Sequence, residues 1–282
     1  MITKGIAYIL IATFSFAIMN AVAKELSDFH PMQVVFFRAF GTSVFIFPFI
    51  LFKKVSIVGN HPKILFLRGV IGVISLATFF IALQRIPLGS AISIRYLGPI
   101  FGAMLAAIFL KEKINRWQWV SFFIAFSGVI ILKGFDIRID YISLFLLLVS
   151  ALTVGMVFVL VRYLSTREHY LTIINYFMTI CVLVSLLFFQ HWRMPVQDEW
   201  FLVLIIGILG LIGQVFMTRA FETEETSVLA PFKYMELVYA LIIGFIFFGE
   251  TYAWLPFLGI VFILIGMVTN VWAKKTSVKK SS

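Results

Sequence analysis

Ten apolar runs follow one another along the chain, each about as long as a membrane-crossing helix and joined to the next by a short polar connection. They cover residues 4–23, 32–52, 64–84, 88–110, 115–133, 141–163, 170–190, 200–219, 226–248 and 253–273. About 20 mostly apolar residues cross the hydrocarbon core of a bilayer as an α-helix. The runs are too long for barrel strands and lack strict alternation, so each is read as a helix. The pattern predicts an all-α integral membrane protein with ten transmembrane helices linked as hairpins.

Composition agrees with this picture. Of 282 residues, 62% are hydrophobic and 13% charged, against roughly 25% charged in a soluble domain. The net charge of +10 does not point to nucleic acid, because the cations fall in short clusters between apolar runs, as in loops that face anionic lipid. With the N-terminus placed in the cytoplasm, fifteen Lys and Arg lie on the inner side and five on the outer. Three more, Arg38, Arg95 and Lys233, lie inside spans. This bias predicts that both termini are cytoplasmic, as in a bacterial inner membrane protein. The acidic connection FETEET at 221–226 does not change that, because the rule counts cations. The first run is not read as a cleaved signal peptide, since no small-residue cleavage site follows it. The single cysteine, Cys181, sits in an apolar run and is assigned to packing.

The two halves resemble each other. Moving the second half back by 138 residues places Glu250 on Glu112, Lys233 on Arg95, Tyr234 on Tyr96 and Gly266 on Gly128. Self-similarity at half-length predicts two five-span units. Five is odd, so the second unit enters the membrane from the opposite side, which makes an inverted repeat. The predicted units are 1–136 and 137–273, followed by a basic cytoplasmic tail at 274–282, KTSVKKSS after Lys274, read as disordered and close to anionic lipid.

FIALQRIPLGSAISIRYLGPIFGAMLAAIFLKEKI followed by SGVIIL resembles an EamA domain of the drug/metabolite transporter superfamily. RAFETEETSVLAPFKYMELVYALIIGFIFFGE followed by LIGMVTN is similar to a second copy, and the Arg38 region to the first two spans of the family. The resemblance implies ten spans, cytoplasmic termini and movement of small metabolites by alternating access. It also makes Glu112 and Glu250 part of the motif that ends each copy's fourth helix, read as loop anchors. Arg38 is read as structural, meeting a helix C-terminus or a lipid headgroup.

The buried ionisable groups are the candidate chemistry. Arg or Lys at the centre of a spanning helix costs at least about 2.5–3.5 kcal/mol, so something must offset it. Arg95 and Lys233 each lie about seven residues into their spans, or roughly 10 Å deep, from opposite faces. They would flank the midplane and attract an anion, Arg95 as a bidentate fork and Lys233 as a point charge. Glu236 is three residues beyond Lys233 on the same helical face. Three roles stay open for it: neutralising Lys233, binding a substrate ammonium, or carrying a proton. Tyr96 and Tyr234 are either hydrogen-bond donors to the cavity or packing residues beside the cations. Asn20 and Gln214 are polar groups at membrane depth, suited to interhelical bonds or substrate contact. Pro99 and Pro231 are placed to kink the helices beside the two cations.

The expectation is a secondary transporter for a small organic anion or zwitterion, held at the midplane between the repeats. Its partners would be the bilayer, the small-molecule substrate and either a coupled proton or a counter-substrate, with the chain acting as monomer or homodimer. The alternatives are the same fold carrying a neutral, aromatic or cationic metabolite, or a non-transporting membrane receptor. No Walker-type stretch occurs, and the four histidines show no metal-ligand spacing. Neither an enzyme nor a cofactor nor a metal site is therefore expected.

Overall fold

The computed structural model describes residues 3–109, 114, 116–164, 167–223, 229 and 232–279. The helices are α1 (Lys4–Glu25), α2 (Pro31–Phe52), α3 (Pro62–Leu83), α4 (Leu88–Arg95), α5 (Gly98–Phe109) and α6 (Arg116–Phe135) in the first half. The second half holds α7 (Tyr141–Leu164), α8 (Tyr170–Leu186), α9 (Glu199–Thr223), α10 (Met235–Phe248) and α11 (Trp254–Lys279). Among the described residues, eight helical stretches are long and apolar enough to cross a membrane, with α4 and α5 counted as one, and α8 and α10 are shorter apolar helices. These are the ten predicted spans.

Helix starts are set by caps and prolines. Thr3 caps α1, its hydroxyl accepting from the Ile6 N–H at 3.3 Å. His30 caps α2 just before Pro31, and His169 caps α8, each ring nitrogen accepting a backbone N–H two residues on. Such caps satisfy donors that a helix leaves unpaired at its N-terminus, and Pro at the first position loses no bond there. Two histidines are therefore spent on local structure.

The packing shows the inverted repeat directly. Exchanging the halves turns α1 into α7, α2 into α8, α3 into α9, the α4–α5 pair into α10 and α6 into α11. The observed neighbours obey that exchange. The pairing α1–α9 has the image α7–α3, α2–α9 has the image α8–α3, and α1–α10 has the image α7 against α4 and α5. The pairs α2–α8, α6–α11 and α4–α10 are their own images. Close crossings need small residues, since two backbones can approach only where no side chain intervenes. At α2–α9, a Cβ added to Gly207 would lie 2.9 Å from the Gly41 Cα.

Three expectations need correction. The fourth span is not one helix over 88–110: it breaks between Arg95 and Gly98. Pro99 explains the break, because it has no N–H to give the Arg95 carbonyl and its ring clashes with that carbonyl. Arg68, counted with the inner loop cations, lies inside α3 and is buried, which leaves fourteen against five. The basic tail is not disordered throughout, because α11 continues as helix to Lys279. Glu112 and Pro231 lie outside the described residues.

Candidate functional site

The break in the fourth span has a counterpart in the ninth. Residues 232–233 are helical, Tyr234 is a turn, and α10 starts at Met235. The Leu237 N–H bonds to the Tyr234 carbonyl at 3.0 Å. The Lys233 carbonyl instead accepts the Tyr96 hydroxyl, at 2.8 Å. The two broken spans thus meet at their interruptions, with Arg95 and Lys233 beside the junction. Broken helices at midplane are tolerated only where the irregular backbone is buried in protein or lines a cavity.

There is such a cavity, of about 200 Å³, between the two halves. Five of its lining residues carry charge: Arg38 on α2, Arg68 on α3, Arg95 at the end of α4, Lys233, and Glu236 on α10. Asn20, Tyr96, Pro99 and Gln214 line it as well. Seven of the nine residues singled out from sequence therefore converge here. Tyr234 does not: its hydroxyl points to the Met267 carbonyl, 3.3 Å away, and its ring packs edge-on against Tyr96. It supports the site from behind.

Glu236 is buried and is not joined to Lys233 as the sequence spacing allowed. Its carboxylate takes the Tyr96 hydroxyl at 2.7 Å and the Asn20 amide at 3.1 Å. Neutral donors from spans one and four therefore hold the one carboxylate that lines the site among the described residues. Three of the cations rest on aromatic faces instead. Arg68 lies 4.3 Å from the Phe177 ring centroid, Arg95 4.1 Å from Phe79 and Lys233 4.6 Å from Phe158. A ring face steadies a cation without neutralising it, contributing up to about 2 kcal/mol when desolvated. Four intramembrane cations cost roughly 10–14 kcal/mol together on the same scale as above. With four cations against a single carboxylate among the described lining residues, the cavity wall carries net positive charge.

Arg38 and Arg68 were missed as site residues. The signal was present: Arg38 lies seven residues beyond Pro31 and Arg68 six beyond Pro62, the same depth that singled out Arg95.

On the face where the fourth span starts, three helix ends are tied together through Glu250. Glu250 binds the Lys24 ammonium at 2.5 Å and accepts the Leu88 N–H at 2.7 Å. Lys24 also donates to the Ile86 carbonyl at 2.8 Å. Glu250 thereby ties the ends of α1 and α10 to the start of α4, a wider role than that of a loop anchor.

Known proteins are similar to this chain over most of its length. The EamA-like transporter family matches twice, over residues 3–133 and 141–272. The pseudopaline exporter CntI of Pseudomonas aeruginosa is 30% identical over 279 residues, 98% of each chain. The S-adenosylmethionine uptake transporter of Rickettsia prowazekii is 26% identical over 255 residues, covering 88% of this chain and 85% of that one. Solute carrier family 35 member G1 of Homo sapiens is 27% identical over 270 residues, 89% and 74% of the two chains. A solved crystal structure superposes with a TM-score of 0.66 at 15% identity, over 96% of this chain and 97% of that one, and shares the fold. With both halves matched, the chain is an integral membrane protein and belongs to the EamA-like transporter family.

Proposed function

We propose that this transporter carries a small organic anion or zwitterion by alternating access, with the cargo held between the repeats by Arg95 and Lys233. The observation that carries the reading is the charge of the central cavity: among the described residues, four cations and one carboxylate line it, with Arg95 and Lys233 beside the junction of the two broken spans. Such a site favours carboxylate or phosphate groups, which a guanidinium grips through two parallel bonds. Glu236, held by Tyr96 and Asn20 rather than by Lys233, is the natural partner for a substrate ammonium. Two relatives are named for the movement of a small metabolite, one as an exporter and the other as an uptake transporter. Both names support a small-metabolite cargo for this chain. The bias of loop cations supports cytoplasmic termini in the inner membrane.

Both repeats contribute to the cavity, so one chain is a sufficient transport unit. Rocking of one repeat against the other would expose the cavity to each side in turn. The test is counterflow into proteoliposomes with a labelled panel of carboxylates, phosphates, amino acids, neutral aromatics and organic cations. Transport of anions or zwitterions supports the reading. Preference for a neutral aromatic or a cation would transfer the site to the Phe-lined walls and to Glu236, and refute it.

A further inference from the structure

Arg38 and Arg68 remain without a ligand role if the cargo is held by Arg95 and Lys233 alone. Both are more than nine-tenths buried, at 6% and 8% exposure. The Nε of Arg38 and both Nε and Nη1 of Arg68 are buried without a hydrogen-bond partner. Among the described residues neither guanidinium has an ion-pair partner. Buried polar groups are nearly always paired, and unpaired buried charges are the most costly of all. The surroundings also leave room for these side chains. A Cβ on Gly72 would come within 3.2 Å of the Arg68 Nη1 and 2.8 Å of the Phe177 ring. A Cβ on Gly210 would lie 3.4 Å from the Arg38 Cγ.

The cavity thus has two cationic ends. One is Arg95 with Lys233, at the junction of the broken spans and beside Glu236. The other is Arg68 on α3, resting on Phe177 of α8, with Arg38 of α2 within electrostatic range of both ends. We propose that Arg38 and Arg68 form a second anion subsite, so that the cargo carries at least two anionic groups, one for each end of the cavity. This rests on the anion or zwitterion reading above and narrows it from one carboxylate to a polycarboxylate or its phosphate equivalent. It also assigns the two arginines a specificity role: they distinguish a polyanion from a single-carboxylate amino acid.

The test uses the full-length chain in detergent and three probes that share one amine, glycine, iminodiacetate and nitrilotriacetate, with one, two and three carboxylates. Affinity is read from the ligand-induced rise in the unfolding midpoint, in metal-free buffer. In the wild type, the two polycarboxylates should bind about tenfold or more tightly than glycine, the ratio expected from one added charged hydrogen bond in a buried site. Arg38→Met and Arg68→Met should each erase that preference, and Arg68→Met should leave glycine affinity within about twofold. Each should also raise the ligand-free midpoint, because an unpaired buried charge is replaced by a well-packed apolar chain. Arg95→Met should weaken all three probes.

Equal wild-type affinity for the three probes would overturn the second subsite while leaving the anion reading intact. A lowered ligand-free midpoint in both Met variants would also overturn it, since the arginines would then be structural. Binding of none of the three would overturn the subsite and the anion reading together.

Discussion

Replacing Glu250 by Gln should loosen the tie at the start of the fourth span and open the cavity on that face. The substitution keeps the volume and an acceptor for the Leu88 N–H, but removes the charge that holds Lys24 at 2.5 Å. Both partners are shielded, with side chains 6% and 17% exposed. Breaking a buried pair by removing one partner costs about 3–5 kcal/mol. Lys24 keeps its bond to the Ile86 carbonyl and its position 5.2 Å from the Phe248 ring, so the lower end, about 3 kcal/mol, is the expectation here. At about 1.4 kcal/mol per tenfold, that shifts the balance between sealed and open by roughly a hundredfold. The assay needs a reporter thiol, and the chain offers a clean background because Cys181 is its single cysteine. In a Cys181→Ser background, Ile92→Cys places a thiol on the cavity lining. A charged, membrane-impermeant thiol reagent should then label it on the order of ten- to a hundredfold faster when Glu250→Gln is added. Unchanged labelling would refute the reasoning. If the unfolding midpoint fell while labelling stayed constant, Glu250 would hold the fold together without closing the face.

Two further outcomes follow from packing and capping. Gly207→Leu would force α2 from α9 at the crossing with Gly41, and overpacking of this kind costs about 1–3 kcal/mol, visible as a lower unfolding midpoint. Asp140 accepts the Ser143 hydroxyl at 2.5 Å and the Ser143 N–H at 2.8 Å ahead of α7, and these bonds hold its carboxyl below the usual range. Its contribution is therefore complete above the ordinary carboxylate pKa of about 4 and is lost as pH falls through the depressed value. Asp140→Ala should cost about 0.5–2 kcal/mol at neutral pH, and the gap from wild type should narrow on acidification when unfolding midpoints are compared across pH. A gap that widens in acid would contradict that assignment.

The spans were legible because each satisfies a simple requirement, twenty apolar residues between polar turns. The inverted repeat was legible because duplicated residues, such as Arg95 and Lys233, stand at a constant offset. Partners distant in sequence were not legible. Glu236 finds Tyr96 and Asn20, 140 and 216 residues away, rather than Lys233 three residues away. Local spacing reports helical faces, whereas these bonds depend on which spans become neighbours. The same limit hid the role of Glu250, whose partners come from the first and fourth spans. Arg38 and Arg68 were obscured for another reason. Neither has a cationic counterpart at the 138-residue repeat offset, and only the tertiary arrangement brings all four cations to one cavity.

The central claim is that the cations at the two helix breaks hold an anionic cargo. The measurement that tests it most directly is counterflow of the best anionic or zwitterionic substrate by wild type, Arg95→Ala and Lys233→Ala in proteoliposomes, with unfolding midpoints recorded for all three. Loss of transport in both variants, with midpoints at or above that of wild type, is the predicted result. Normal transport by both, or a wild-type preference for neutral or cationic substrates, would contradict it.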